Sequence, residues 1–123
     1  MAIDHVTIKV KDLAKAKTFY AAALAPLGYS VLMEWEGKFV GLGAGRPDLW
    51  LALYDVTAPP AHVAIHAGTK ANVDAFHAAA LAAGGKDFGQ PGIRKEYHPG
   101  YYGAFVLDPE GNNLEAVIHD HQG

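Results

Sequence analysis

The sequence predicts an α+β fold of two βαβββ modules, and three observations lead there. The chain repeats itself: residues 5–28 laid on residues 62–85 match at 11 of 24 positions without a gap. Each copy opens with strand alternation and passes into helical spacing. Three short apolar segments divided by turn residues then follow. The identities include His5/His62, Val6/Val63, Ile8/Ile65, Phe19/Phe76, Leu24/Leu81 and Gly28/Gly85. Towards the ends of the copies a shift of 64 lays residues 48–55 on 112–119, so that Leu51 meets Glu115. The second copy then carries about seven extra residues, which the Gly/Pro-rich stretch 84–100 accommodates. One domain spans residues 1–123, with module one at about 1–57 and module two at about 61–120.

The elements follow in order. IDHVTIKV alternates, with Val6, Ile8 and Val10 on one face and His5, Thr7 and Lys9 on the other. Asp12 is the predicted N-cap of a helix whose stripe is Leu13, Ala16, Phe19, Tyr20, Ala23 and Leu24, stopped by Pro26 and Gly28. Strands are predicted over 29–35, 38–43 and 49–55, and Ala58-Pro59-Pro60 links the modules. In the second copy a strand over 62–67 precedes a Thr69-capped helix bearing Val73, Phe76, Ala80 and Leu81. A weak strand near 86–89, a long loop, and strands over 101–108 and 113–119 complete it. The two helices are expected to pack on one face of a mixed sheet and leave its other face free to curve around something.

Composition narrows the function classes. The 123 residues contain no cysteine, which excludes disulfides, thiolate metal sites and cysteine nucleophiles. Ten Lys+Arg against 13 Asp+Glu, without a basic cluster, argue against nucleic acid and anionic membranes as partners. No apolar run approaches a membrane span, and the N-terminal residues lack a signal-peptide pattern, so a cytoplasmic protein is expected. Any bound metal must use imidazole and carboxylate.

Strand parity selects among the seven histidines. His5 and His62 fall opposite the apolar, helix-facing residues of their strands. In the last strand Leu114, Ala116 and Ile118 share one face and leave Glu115 on the other. A lone strand histidine is more commonly hydrogen-bonded or partly exposed than a ligand. Equivalent histidines in two modules, joined by a carboxylate of compatible parity, favour one divalent ion (Fe, Mn, Ni, Zn or Co) with positions left open for water or substrate.

At these residues the chain resembles the glyoxalase / bleomycin-resistance / extradiol-dioxygenase family, the vicinal oxygen chelate superfamily. The resemblance spans nearly the whole chain, and Asp108-Pro109-Glu110-Gly111-Asn112 followed by Glu115 is its most specific segment. It implies a cup of paired βαβββ modules around one divalent metal that chelates vicinal oxygens of a small substrate. It implies His5, His62 and Glu115 as ligands. It places a fourth ligand of glyoxalase I on the last strand of the first module, where the shift of 64 puts Leu51, so glyoxalase I activity is not expected. A glyoxalase-like lyase or isomerase and a ring-cleaving dioxygenase remain the two enzyme readings. A drug-sequestering, bleomycin-resistance-like binding protein is the alternative. A homodimer is expected, with the site either within one chain or shared between subunits.

Other residues carry weaker expectations. GIRKEYHPGYYGAF (92–105) supplies Arg94 as a substrate-binding residue, and His98, Tyr101 and Tyr102 as acid/base or hydrogen-bond donors. Tyr101 and Tyr102 point to opposite faces, so at most one of them readily faces the cup. Trp50 is a candidate substrate contact or wall residue. His66 is expected at a solvated strand end, His77 in a structural role, and His119 and His121 in a mobile tail.

Overall fold

The computed structural model describes residues 3–54 and 59–122. The linker residue Ala58, the boundary of module one at 57 and the strand end at Asp55 lie outside them. The order is β1 (Val6–Val10), α1 (Leu13–Leu24), a 3-10 turn (Ala25–Leu27), β2 (Ser30–Trp35), β3 (Phe39–Gly43) and β4 (Leu49–Leu53). The second module runs β5 (His62–His66), α2 (Lys70–Ala82), β6 (Lys86–Ile93), β7 (Tyr102–Leu107) and β8 (Asn113–Ile118). Two βαβββ modules therefore form, each a four-stranded sheet, in the orders β1-β4-β3-β2 and β5-β8-β7-β6. In each, the first strand runs parallel to the last and the other pairs are antiparallel.

Local chemistry sets the boundaries. Asp12 accepts the amide of Lys15 at 3.0 Å and Thr69 that of Asn72 at 3.1 Å, so both predicted caps form. Gly28 ends the first helical segment in the left-handed region at φ 85°. Glu36 and Gly37, at φ 51° and 65°, make the tight β2–β3 turn, and Lys38 N closes it on Trp35 O at 2.8 Å.

One core serves both modules. Ile8, Val10, Val40, Leu42, Leu49 and Leu51 enter it from the first sheet, and Ala104, Val106, Leu114, Ala116 and Ile118 from the second. Phe19, Tyr20 and Leu24 of α1 and Val73, Phe76 and Ala80 of α2 join them, and the helices pack on each other. Each sheet thus turns one face to the shared core and leaves the other free.

Beyond β7, Asp108 ties the modules together. Its buried carboxylate accepts the Tyr20 phenol at 2.6 Å, the Asn112 side-chain amide at 2.9 Å, and the amides of Glu110 and Asn112, each at 2.8 Å. The Glu110 carboxylate grips the amides of Lys11 and Asp12 at the β1–α1 junction. Asn112 Oδ1 accepts the amide of Ala61, one residue before β5.

Three expectations need correction. β6 extends through Ile93, four residues past the predicted strand, because Gly92 and Ile93 pair with β7 once two irregularities, at Phe88 and at Gln90-Pro91, are absorbed on what is an edge strand. The C-terminal residues fold back: His119 packs against His98 and Tyr101, and the His121 ring stands 4.8 Å from that of Tyr102. The third correction concerns Leu51. β4 pairs with β1 as Val6↔Leu49, Thr7↔Trp50 and Ile8↔Leu51, whereas β8 pairs with β5 as Val63↔Leu114, Ala64↔Glu115 and Ile65↔Ala116. Because Val6 matches Val63, Leu49 matches Leu114 and Trp50 matches Glu115; the repeat shift here is 65, not 64. A slip of one residue exchanges the faces, so Leu51 is fully buried in the core and Trp50 occupies the place of Glu115. Asp48 and Asn113 are equivalent under the same shift, and each has a buried Oδ1 without a hydrogen-bond partner.

Tyr20→Phe should lower stability by about 1–2 kcal/mol and Asp108→Ala by about 3 kcal/mol, since the latter strands several buried donors. Urea denaturation of the two variants measures both. Equal, negligible losses would contradict the role given to this carboxylate.

Candidate functional site

The free face of the second sheet carries the polar groups. Register places His62, Ala64 and His66 of β5 on the same side as Asn113, Glu115 and Val117 of β8, and Gly103 and Phe105 of β7 share it. Glu115 is 1% exposed, so its carboxylate must be satisfied locally. His62 Nε2 lies 2.9 Å from Glu115 Oε1, and the Tyr101 hydroxyl donates to Glu115 Oε2. Gly103 makes room for that bond: a Cβ there would come within 3.1 Å of the Tyr101 ring and 3.3 Å of Glu115 Oε2.

Burial, followed by the hydrogen bond to Glu115 and its negative charge, raises the Tyr101 phenol well above the ordinary tyrosine range. At neutral pH Tyr101 is therefore a hydrogen-bond donor. The His62 side chain is 54% exposed, which leaves its ring accessible from solvent.

The structure brings together three of the residues singled out in the sequence and separates the rest. His5 is not among the three. Just ahead of β1, its Nδ1 meets Asp4 Oδ1 at 2.8 Å, and Arg46 holds the other oxygen of that carboxylate at 2.8 Å. Among the described residues, no group of three His, Asp or Glu side chains is placed to hold a metal. Tyr102 points to the opposite face from Tyr101; its hydroxyl donates to Asp74 of α2 at 2.6 Å, which removes it from this site. His98 stands one layer out, with Nε2 2.9 Å from His119 Nδ1 and its ring 5.4 Å from that of Tyr101. His77 is structural as expected, bonded to Asp87 at 2.9 Å.

Trp50 lies on the free face of the first sheet. Its indole crosses Gly41, where a Cβ would stand 2.8 Å from the ring. Register lines Met33 and Thr7 up with it, and Trp35, Phe39 and Lys9 occupy the next row. Phe105, not among the candidate site residues of the sequence, has its ring centre 6.1 Å from that of His62. Shared parity with Tyr101 was the available signal. A separate cavity of about 510 Å³ lies between the modules, lined by Lys9, Lys11, Lys15, Pro59, Pro60 and Glu110 among others, away from His62 and Glu115.

A family profile described as "Glyoxalase/Bleomycin resistance protein/Dioxygenase superfamily" matches residues 2–116. The chain belongs to this superfamily. Among solved structures, a glyoxalase/bleomycin resistance protein from Albidiferax ferrireducens T118 is 27% identical, with a TM-score of 0.82 over 99% of this chain and 100% of that one. A glyoxalase/bleomycin resistance protein/dioxygenase family enzyme from Burkholderia phytofirmans PsJN is 22% identical, with a TM-score of 0.74 over 94% and 97%. A lactoylglutathione lyase from Agrobacterium tumefaciens is 22% identical, with a TM-score of 0.70 over 94% and 92%; at that identity the likeness speaks for the fold alone. A comparison with curated proteins gave no match. His62 and Glu115 thus meet within one chain, and Trp50 stands where module symmetry places the counterpart of Glu115.

The register is testable with one pair of substitutions. Leu51→Glu buries an unpaired charge and should cost at least about 4 kcal/mol, whereas Trp50→Glu, on the free face, should cost under about 2 kcal/mol. Thermal unfolding decides; the reverse order of stabilities would restore the shift of 64.

Proposed function

We propose that this chain is a divalent-metal-dependent enzyme acting on a small molecule with vicinal oxygens. Its working unit in this reading is a homodimer whose metal centre takes His62 and Glu115 from one copy and His5 from the other. One observation carries the proposal: His62 Nε2 and Glu115 Oε1 stand 2.9 Å apart on a free face, while His5 of the same chain is engaged elsewhere with Asp4. That separation suits neighbouring donors around an ion with bonds of about 2.1 Å, and imidazole with carboxylate suits Fe, Mn, Ni, Zn or Co. A divalent ion there supplies Lewis-acid stabilisation of negative charge developing on substrate oxygens.

The chain's own groups have distinct tasks. Glu115 is a buried, fixed anion whose lone pairs are oriented by Tyr101 and His62. Tyr101, held protonated, gives its one O–H to Glu115 Oε2 and so fixes that carboxylate; it is unsuited to remove a proton at neutral pH. His98, edge-on to Tyr101 and stacked on His119, limits the movement of that phenol from the outside. Trp50 offers neither a donor nor a base, which favours chemistry needing three protein donors. Ring-cleaving dioxygenation and a lyase or isomerase reaction distinct from glyoxalase I both meet that condition.

A second reading, ligand sequestration, draws on the free face of the first sheet, where Met33 and Trp35 are 53% and 64% exposed beside Phe39 and Trp50. It predicts small-molecule binding that survives loss of the metal donors.

Elemental analysis of untagged protein should find about one divalent ion per chain, lost in His62→Ala and in Glu115→Ala. Mixing His5→Ala with Glu115→Ala chains should restore about a quarter of the sites, because each mixed dimer assembles one intact set of donors. Metal-free protein after growth with each candidate ion would sink the enzyme reading, and absence of recovery on mixing would place His5 outside the centre. Oxygen uptake with catechols, compared with lyase assays on thiol adducts of 2-oxoaldehydes, separates the two enzyme classes.

A further inference from the structure

His62, Glu115 and Tyr101 occupy one part of the free face of the second sheet. The neighbouring part holds a cation whose placement they do not explain. Arg94 follows β6, and its guanidinium folds back across that strand, with Cζ 5.5 Å from the centre of the Phe105 ring. Two glycines clear its path. A Cβ at Gly92 would come within 2.9 Å of Nη1, and one at Gly89 within 3.2 Å of Nη2. Gly92 pairs with Gly103 and Gly89 with Phe105, whose own partner is Glu115, so all of them face the same side. Neither glycine adopts a positive φ; the space a Cβ would take is occupied at Gly92 by the guanidinium and at Gly89 first by the Phe105 ring, at 2.8 Å, and then by the guanidinium.

The cradle leaves the cation underused. Among the described residues, the Arg94 side chain makes one hydrogen bond, from Nη2 to Gln90 O at 2.7 Å, and no carboxylate lies in salt-bridge range. A guanidinium carries five N–H donors in a planar fork that matches a carboxylate bidentately. The Phe105 ring spans the gap between this fork and His62, its centre 6.1 Å from the imidazole. The face therefore presents a cation, then an aromatic ring, then the imidazole, carboxylate and phenol.

We infer that Arg94, seated on Gly89, Gly92 and Phe105, anchors a carboxylate of the substrate and so makes the site selective for a small oxygenated carboxylic acid. The inference rests on the proposed function only in taking this face as the substrate site. One guanidinium balances a singly charged planar carboxylate; a phosphate dianion would call for a second cation against the same ring. Phe105 gives the body of the substrate a flat apolar surface, and the anchored acid points its other oxygens towards His62 and Glu115. Arg94 is in this sense a specificity-determining residue and takes no part in bond making.

Calorimetric titration of the full chain, stripped of metal by chelator, with benzoate, benzamide and phenyl phosphate tests this. Benzoate should bind at least about tenfold more tightly than its neutral isostere benzamide, and Arg94→Gln should abolish that preference. Gly92→Ala, which keeps the charge but fills the cradle, should weaken benzoate several-fold alone and add nothing in the Arg94→Gln background. Equal binding of benzoate and benzamide, no binding of either, a preference surviving Arg94→Gln, or tighter binding of phenyl phosphate would each overturn the assignment. Since metal-free protein is used, failure of the metal centre leaves this result standing, and the reverse holds too.

Discussion

The structure depends on one buried carboxylate. Asp108 is 5% exposed and accepts four hydrogen bonds, one of them from Tyr20 in the other module. A buried anion is tolerable only when its lone pairs are occupied, and here the occupants belong to both halves of the chain. Glu110 and Asn112 extend the tie to the β1–α1 junction and to the residue preceding β5. β8 begins directly after Asn112 and β5 directly after Ala61. The turn that joins the modules thus also fixes the offset at which β5 and β8 meet, and with it the approach of His62 to Glu115.

Alternation along the strands divides labour between the faces. Residues turned inward are almost uniformly apolar and merge into one core. Residues turned outward differ between modules: Met33, Trp35, Phe39 and Trp50 stand beside Lys9 on the first sheet, and His62, His66 and Glu115 beside Phe105 and Val117 on the second. The modules share a fold while their free faces have diverged, and Trp50 against Glu115 is the sharpest instance. An indole over Gly41 in one module corresponds to a hydrogen-bonded carboxylate in the other.

Much of this was legible in the sequence, for identifiable reasons. The βαβββ order followed from the repeat, and the caps at Asp12 and Thr69 from local side-chain chemistry. His62 stands out through repetition and Glu115 through strand parity, and the structure brings the two within hydrogen-bond distance. Leu51 was misplaced because a repeat carries no information about a one-residue slip inside an apolar strand, where Leu49 and Leu51 serve equally well. β6 was cut short because Pro91 and Gly92 read as a loop; only pairing with β7 reveals an irregular edge strand. The C-terminal histidines were read as a tail because their contacts with His98, Tyr101 and Tyr102 are long-range. The cradle under Arg94 consists of missing side chains, and a search for reactive residues passes over those.

Glu115 has a further consequence. Both of its oxygens already have hydrogen-bond partners inside the chain, the Tyr101 hydroxyl and the His62 ring, so the fold does not need a cation to hold this carboxylate in place. Were a divalent ion bound at the proposed centre, folding and ion uptake would be separate equilibria, unlike those of domains that collapse only around their metal. Such an ion would replace an existing hydrogen-bond partner instead of filling an electrostatic void. Its identity would then follow from supply and competition among ions.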